Sequence, residues 1–268
     1  MSYTHGAHGC SECHPTCRRP SRSLDERWQL DATPGYWGSS EPHTLVLGFS
    51  MGANQVRAYR EDSFDKAGFH GLEMRRNVRE ILATLGLWDS TQDIDTAMSA
   101  RARGFGFASL TRCSFSHLNP ATGAYVTSGA LMPKAPHDPW AREIMVRCAA
   151  RYLRDIPPSV RRVVLFGTTD RYVQGVHAIM RTVFPDYAWV NDMAFSAGGR
   201  IWVFAVHPSY ANRVQEWIHA PAQSRPGRKR ALALQALGQF VGAPVESKPS
   251  RIGVKVLVKR QAPAAEVA

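Results

Sequence analysis

The chain has 268 residues, with 33 Lys and Arg against 22 Asp and Glu and a formal charge of +11. Its composition, 44% hydrophobic and 21% charged, excludes a disordered or collagen-like chain and suffices for one sizeable core. No apolar run approaches the roughly 20 residues of a membrane helix, and the positive excess favours a polyanionic partner, nucleic acid first.

Residues 1–42 are rich in His, Ser, Pro, Gly and Arg, lack periodicity and read as loop. They hold no apolar stretch of signal-peptide type, so a reducing, cytoplasmic setting is expected. Five cysteines cannot all pair within one chain. TLVLGF at 44–49 reads as a buried strand that ends in glycine and runs into a polar loop. Leu72, Met74, Val78, Ile81, Leu82 and Leu85 then fall at helical spacing, with Gly86 as the stop. A second strand is predicted over 104–110. From Trp140, the residues Ile144, Met145, Ala149, Tyr152 and Leu153 mark a helix that ends before Pro157 and Pro158.

VVLFG at 163–167 repeats the strand-then-glycine pattern, and Val173, Val176 and Met180 mark the helix after it. IWVFAV at 201–206 is a fourth strand that runs directly into HPSY. RPGRKRALALQAL at 225–237 reads as a helix with a basic start, and alternating Ile252, Val254, Val256 and Val258 suggest a late strand. Strands that are apolar throughout and alternate with helices predict an α/β protein. The expected fold is a three-layer α/β/α arrangement on a central, mostly parallel four-stranded sheet. We divide the chain into an N-terminal segment (1–42), a core domain (43–220) and a basic extension packed on it (221–268). Ligands of such sheets bind at the carboxyl ends of the strands, in the loops that start at Gly48, Leu110, Gly167 and His207.

Those loops carry a resemblance. LVLGFSMG at 45–52, FHG at 69–71, RC at 112–113, CAARYLRDIPPSVRRVVLFG at 148–167 and HPSYANR at 207–213 resemble, in order and spacing, the uracil-DNA glycosylase superfamily. The iron-sulfur branch is the most similar, over roughly positions 10 to 217. The resemblance implies an enzyme that flips a pyrimidine out of DNA and hydrolyses its N-glycosidic bond, leaving an abasic site. It implies that Cys10, Cys13, Cys113 and Cys148 hold a [4Fe-4S] cluster, with Cys17 as a spare thiol; zinc would be served equally well by four cysteines. It implies DNA as the partner, no membrane, and a monomer.

By the same resemblance His207 donates a hydrogen bond to the leaving base, and Phe69 stacks on it. Gly48, Phe49, Ser109 and Ser209 are the further substrate-binding candidates. Tyr210, Asn212 and Arg213, followed by Arg228, Lys229 and Arg230, are the DNA-binding candidates. The chain also departs from the family. Phe49 and Ser50 stand where the first motif carries a glutamate and its neighbour, so no acid is present to polarise water; Asn54 is the first substitute for positioning it, with a turn role as its competing reading, and Ser50 is the further catalytic candidate. Ser109 replaces an asparagine that reads uracil through paired hydrogen bonds, which weakens discrimination and makes room for a larger base. Residues 114–139 form an insertion expected at the pocket rim, in which His137 reads as a solvated loop histidine. The expected substrate is therefore uracil or a modified, bulky 5-substituted pyrimidine, in DNA repair or antiviral defence. The competing expectation is a catalytically inactive iron-sulfur DNA-binding protein on the same fold.

Overall fold

The computed structural model describes residues 3–10, 12–13, 21–23, 25–61, 64–127, 129–130 and 132–239. Two short strands, β1 (Gly6–Ala7) and β2 (Ser21–Arg22), precede β3 (Trp28–Asp31) and β4 (Gly35–Gly38). Strand β5 (Thr44–Gly48) leads to helices α1 (Ala53–Arg60), α2 (Phe64–Ala67), α3 (Leu72–Thr84) and α4 (Ile94–Ala97). Strands β6 (Phe105–Ser109), β7 (Ser114–Leu118) and β8 (Tyr125–Val126) come next, then a 3-10 segment (Met132–His137) and α5 (Pro139–Leu153). The remainder is β9 (Arg162–Phe166), α6 (Asp170–Val183), β10 (Ala188–Asn191), β11 (Ala194–Ala197), β12 (Arg200–Ala205), α7 (Ala211–His219) and α8 (Arg225–Gln239).

The four strands predicted from apolar runs are β5, β6, β9 and β12, and they lie side by side in parallel, in the order β6-β5-β9-β12. The sheet continues past them on both sides, so the expected four strands are corrected to eight. Antiparallel β4 and β1 extend one edge, and β11 and β10 extend the other. Central strands are buried on both faces and read as unbroken apolar runs, whereas Ala188, Trp189 and Val190 of edge strand β10 are only half-buried. The β11–β12 turn is made by Gly198 and Gly199 at φ +60° and +69°, the two left-handed residues that a tight hairpin requires.

The segment expected as loop supplies four strands. β1 and β4 join the main sheet, while β2 and β3 pair with β7 and β8 in a second, four-stranded antiparallel sheet. Trp28 anchors that sheet, with its ring 6.1 Å from Phe115 and 4.6 Å from His117. The N-terminal segment is thus tied down by strand pairing as well as by whatever its cysteines do.

Helices flank the main sheet with apolar stripes at the predicted spacing. α3 buries Val78, Ile81 and Leu82, and α6 buries Val173, Val176, Ile179, Met180 and Val183. α5 starts on an Asp138 cap, which accepts from Ala141 N at 3.1 Å, with Pro139 in the first turn. It packs against α6; α3 packs against α7, and α7 against α8. A Cβ added to Gly175 of α6 would stand 2.3 Å from Pro136 Cβ, so a glycine there lets the 3-10 segment lie on α6. That contact seats the insertion. The basic helix predicted over 225–237 is α8; the late strand and Cys17 lie outside the described residues. Among the described residues no helix is long and apolar enough to cross a membrane.

Candidate active site

The carboxyl ends of β5, β9 and β12 open on a cleft of about 340 Å³. Phe49, Ser50 and Met51 enter it after β5, Gly167, Thr168 and Thr169 after β9, and His207 and Ser209 after β12. Met74 of α3, Tyr210, and Arg213 of α7 form one side of the rim. Thr127, Gly129, Met132 and Pro133 form the other, which places the insertion at the rim as the sequence predicts.

His207 is partly buried at the end of β12, and its Nδ1 accepts from the backbone N–H of Ser209 at 3.2 Å. Ser209 Oγ stands 2.8 Å from the same nitrogen. An Nδ1 that accepts a backbone N–H carries no proton, so the proton of the neutral ring is on Nε2, a donor. Desolvation pushes the His207 pKa down to about 4, which keeps the imidazole neutral at pH 7. The loop that carries it is pinned from α3: buried Asn77 donates from Nδ2 to the Pro208 carbonyl at 2.8 Å. Sequence reasoning missed Asn77, whose place on the buried stripe of α3 is the signal it left.

The cleft is poor in formal charge. Among the described residues that line it there is no Asp or Glu, and Arg213 is the one Lys or Arg. Three helices begin on it, through their N-caps Gly52 (α1), Thr169 (α6) and Tyr210 (α7). No side chain caps α6 or α7, so the positive ends of both helices face the cleft without a protein acceptor on their caps. At α1 the Gln55 carboxamide fills this role: its Oε1 accepts from Gly52 N at 3.0 Å and its Nε2 donates to the Ala67 carbonyl at 3.1 Å.

The other predicted residues divide. Asn54 is exposed in the first turn of α1 and does not line the cleft; Gln55 is the carboxamide that does. Phe49, standing where the family carries its acid, is buried, with its ring 5.8 Å from Tyr172 and 6.2 Å from Phe115, and so forms an apolar wall. Gly48 and Ser109 pair in register, and Phe69 lies 3.7 Å from the position of a Gly48 Cβ. Phe69 does not line the cleft. It packs edge-on against Phe166 at 5.5 Å and Phe107 at 6.0 Å, so the expected stacking ring is a core residue that supports Phe166, itself a lining residue. His137 is exposed, with Nε2 2.8 Å from the Arg171 carbonyl, and does not line the cleft. Tyr172 was not singled out from the sequence because it sits on the core stripe of α6. It lines the cleft, it is 3% exposed, and its hydroxyl has no hydrogen-bond partner.

The basic residues divide too. Arg213 lies over the Tyr210 ring at 5.2 Å on the rim, while Asn212 is exposed outside the cleft. Arg228 is exposed on α8. Lys229 is spent on the Thr168 carbonyl and on Asp170, and Arg230 on the Trp217, Ile218 and Ala220 carbonyls at the end of α7. Both therefore act inside the fold, as a tether for the start of α6 and as a cap for α7, and not as open phosphate ligands.

Cys10, Cys13, Cys113 and Cys148, far apart in sequence, line one small cavity beside Tyr152 and Arg151. Burial pushes the Cys148 thiol up to about 12 and raises Cys113 as well. The backbone N–H of Arg112 donates to Cys148 Sγ at 3.3 Å. The Arg112 side chain is 1% exposed and lies over the rings of Tyr152, Tyr3 and Tyr36 at 4.9, 5.3 and 5.6 Å. One of its nitrogens donates to the Gly35 carbonyl at 3.0 Å; Nε and Nη2 have no partner. Among the described residues no three His, Cys, Asp or Glu side chains converge on a single point as ligands of one ion would. No family model matches the chain, and a comparison with curated proteins finds no significant match.

Proposed function

We propose that the protein is a monofunctional DNA glycosylase, in which the cleft takes a flipped pyrimidine and hydrolyses its N-glycosidic bond. The observation that carries this reading is His207: a neutral imidazole, with its proton on Nε2, in an acid-free cleft on which three helix N-termini open. As the glycosidic bond breaks, its electron pair moves onto the base. A fixed N–H donor and helix dipoles lower the energy of that anion, and they do so without reorganising. Water then adds to the sugar C1′ and gives up a proton that ends on the departing base, so that the free base and an abasic site remain. With no carboxylate among the described residues that line the cleft to offset the cationic sugar, the barrier is lowered from the leaving-group side.

The departures from the family support a substrate other than plain uracil. Phe49 closes the acid's place with an aromatic wall, and Ser109 removes a bidentate reader. Met51, Met74 and Met132 line the cleft with adaptable thioethers, and Thr127 of the insertion adds a hydroxyl. A bulky 5-substituted pyrimidine of viral DNA fits this lining, and defence against such DNA is the role we favour over repair. Mass spectrometry of bases released from uracil-containing and modified DNAs tests it. The expected result is release of a modified base that is lost in His207→Ala; release of uracil alone would overturn the substrate, and DNA binding without release of any base would favour an inactive iron-sulfur DNA-binding protein.

We carry the [4Fe-4S] cluster into this reading, with zinc as the lesser possibility, because the four cysteines line one cavity and four thiolates hold the corners of such a cluster. The buried Arg112 guanidinium, with two unpartnered nitrogens, matches the negative charge of a thiolate-held cluster, and its N–H on Cys148 Sγ is the hydrogen bond such sulfurs take. Cys10, Cys13, Cys113 and Cys148 would hold the cluster, which would cross-link the N-terminal segment to the β6–β7 turn and α5. The cluster lies outside the chemistry of the cleft.

A further inference from the structure

A second depression, of about 1070 Å³, lies between α6, the β10 edge and α8. Its charges are Arg181, Arg225, Arg228 and Lys229 against Asp170 and Asp192. Asp170 is consumed by Arg225 at 2.5 Å and Lys229 at 2.6 Å. Arg181 lies over the Tyr187 ring at 5.2 Å, and Arg228 is exposed and pairs with no carboxylate among the described residues. The wall carries the half-buried indole of Trp189, and the apolar floor includes Val173 and Met193.

The floor also holds His177, 7% exposed, whose Nδ1 stands 2.6 Å from the Tyr187 hydroxyl while Nε2 has no partner. A buried polar nitrogen left without a partner carries an uncompensated desolvation cost, which a ligand atom would remove. Nε2 is a donor when Tyr187 donates to Nδ1 and an acceptor in the other tautomer, so it can meet either kind of base edge.

We propose that this groove is a second nucleotide site, in which a base lies against Trp189 with its edge on His177 Nε2 and its phosphate meets Arg228 and Arg181. An aromatic face, a buried hydrogen-bonding atom and cations at one rim are what a nucleotide needs and what a bare anion does not. The groove adjoins the cleft through consecutive residues: Thr169 lines the cleft and Asp170 lines the groove. That continuity makes a nucleotide of the bound strand, near the flipped one, the occupant we favour; this choice of source, though not the site, rests on the glycosylase reading. A free nucleotide has the same chemistry.

Equilibrium binding of dTMP, thymidine, inorganic phosphate and a six-residue thymidine oligomer tests the proposal, with His207→Ala as the background to weaken binding in the cleft. The expected result is dTMP binding at least tenfold tighter than thymidine or phosphate, weakened about tenfold by Arg228→Glu and by Trp189→Ala. Arg228 is exposed, so its variant remains informative if Trp189→Ala fails to fold. Displacement of dTMP by the oligomer assigns the site to the strand, and dTMP binding that the oligomer does not displace assigns it to a free nucleotide. Equal binding of phosphate and dTMP, or binding unchanged in both variants, overturns the site. Base release is measured separately, so its absence would sink the glycosylase reading while leaving dTMP binding in the groove intact.

Discussion

At the cleft, burial takes the proton off His207 and leaves a neutral ring with one fixed donor. At the cysteine cavity, burial keeps the proton on Cys148 and Cys113. Desolvation disfavours the charged form in both places, yet the consequences are opposite. The cleft is set up by the chain alone: a neutral imidazole, helix N-termini and apolar walls are ready for an anion that forms during reaction. The cavity holds thiols that bind metal only as thiolates, beside a buried guanidinium with two unpartnered nitrogens. On the proposed reading, a cluster completes it by drawing off the protons and bringing negative charge. One region would then be preorganised by folding and the other finished by loading.

The largest expected effects come from crossing the two regions. His207→Ala removes a donor to the developing anion and should lower base release by about 10²–10³-fold. It should leave iron content and thermal stability close to wild type, because the hydrogen bonds of the side chain stay within its own loop. Cys148→Ser should do the reverse: iron and sulfide content fall, visible absorbance is lost, and the N-terminal segment becomes open to protease. Loss of iron in His207→Ala would break the separation of the two regions.

Arg112→Met sharpens the same contrast, since its effect should change sign with loading. In metal-free protein the substitution removes a buried, partly unpaired charge, and stability should rise by about 3 kcal/mol. In cluster-loaded protein it removes a counter-charge, so cluster retention against a chelator should fall. Urea unfolding of both forms, with iron release followed by absorbance, measures the two signs. The same sign in both forms would separate Arg112 from the cavity.

The proton balance gives a smaller effect. Burial lowers His177 and His207 from about 6.5 to about 4. Between those values the unfolded chain binds more protons than the native one, so stability rises with pH across this window and is lost as acid is added. For His177 the loss between pH 7 and pH 4 should be about 2–3 kcal/mol. The urea midpoint of His177→Phe, compared with wild type at pH 7 and pH 4.5, isolates it; parallel curves would show that His177 is neutral for another reason.

How legible these regions were follows from their physics. The four parallel strands were visible because burial on both faces leaves unbroken apolar runs such as TLVLG and IWVFA. β10 and β11 were not, although the Gly198-Gly199 pair between two such runs was a hairpin signal. Trp28–Asp31 and Gly35–Gly38 were hidden in a segment whose polar composition reads as loop. The cysteine set and His207 stood out because few residue types do their chemistry. Phe69, Lys229 and Arg230 read as ligand contacts in the sequence and have partners inside the fold, because the same side chain serves a core or a ligand and only its partners decide. Tyr172 and Asn77 went unnoticed for the converse reason: both sit on helix stripes that periodicity assigns to packing, and what distinguishes them is an unpaired hydroxyl and a bond to the Pro208 carbonyl.

The smallest effect concerns which base the cleft prefers. Ser109 closes β6, buried beside Gly48 and 3.7 Å from the place a Gly48 Cβ would take, and it does not itself line the cleft. Ser109→Asn adds a carboxamide that offers a donor and an acceptor together where serine has one rotatable hydroxyl. It also takes up space. A paired contact should favour uracil and the lost space should disfavour a 5-substituted base, so the two changes act in the same direction on the ratio. One gained hydrogen bond of about 1.4 kcal/mol is a tenfold shift. Competition between uracil and a modified base in one oligonucleotide should therefore move by about tenfold towards uracil, with total release changed less. An unchanged ratio would mean that Ser109 is packing beneath the floor, and that the base is chosen at the insertion rim by Thr127 and Met132 instead.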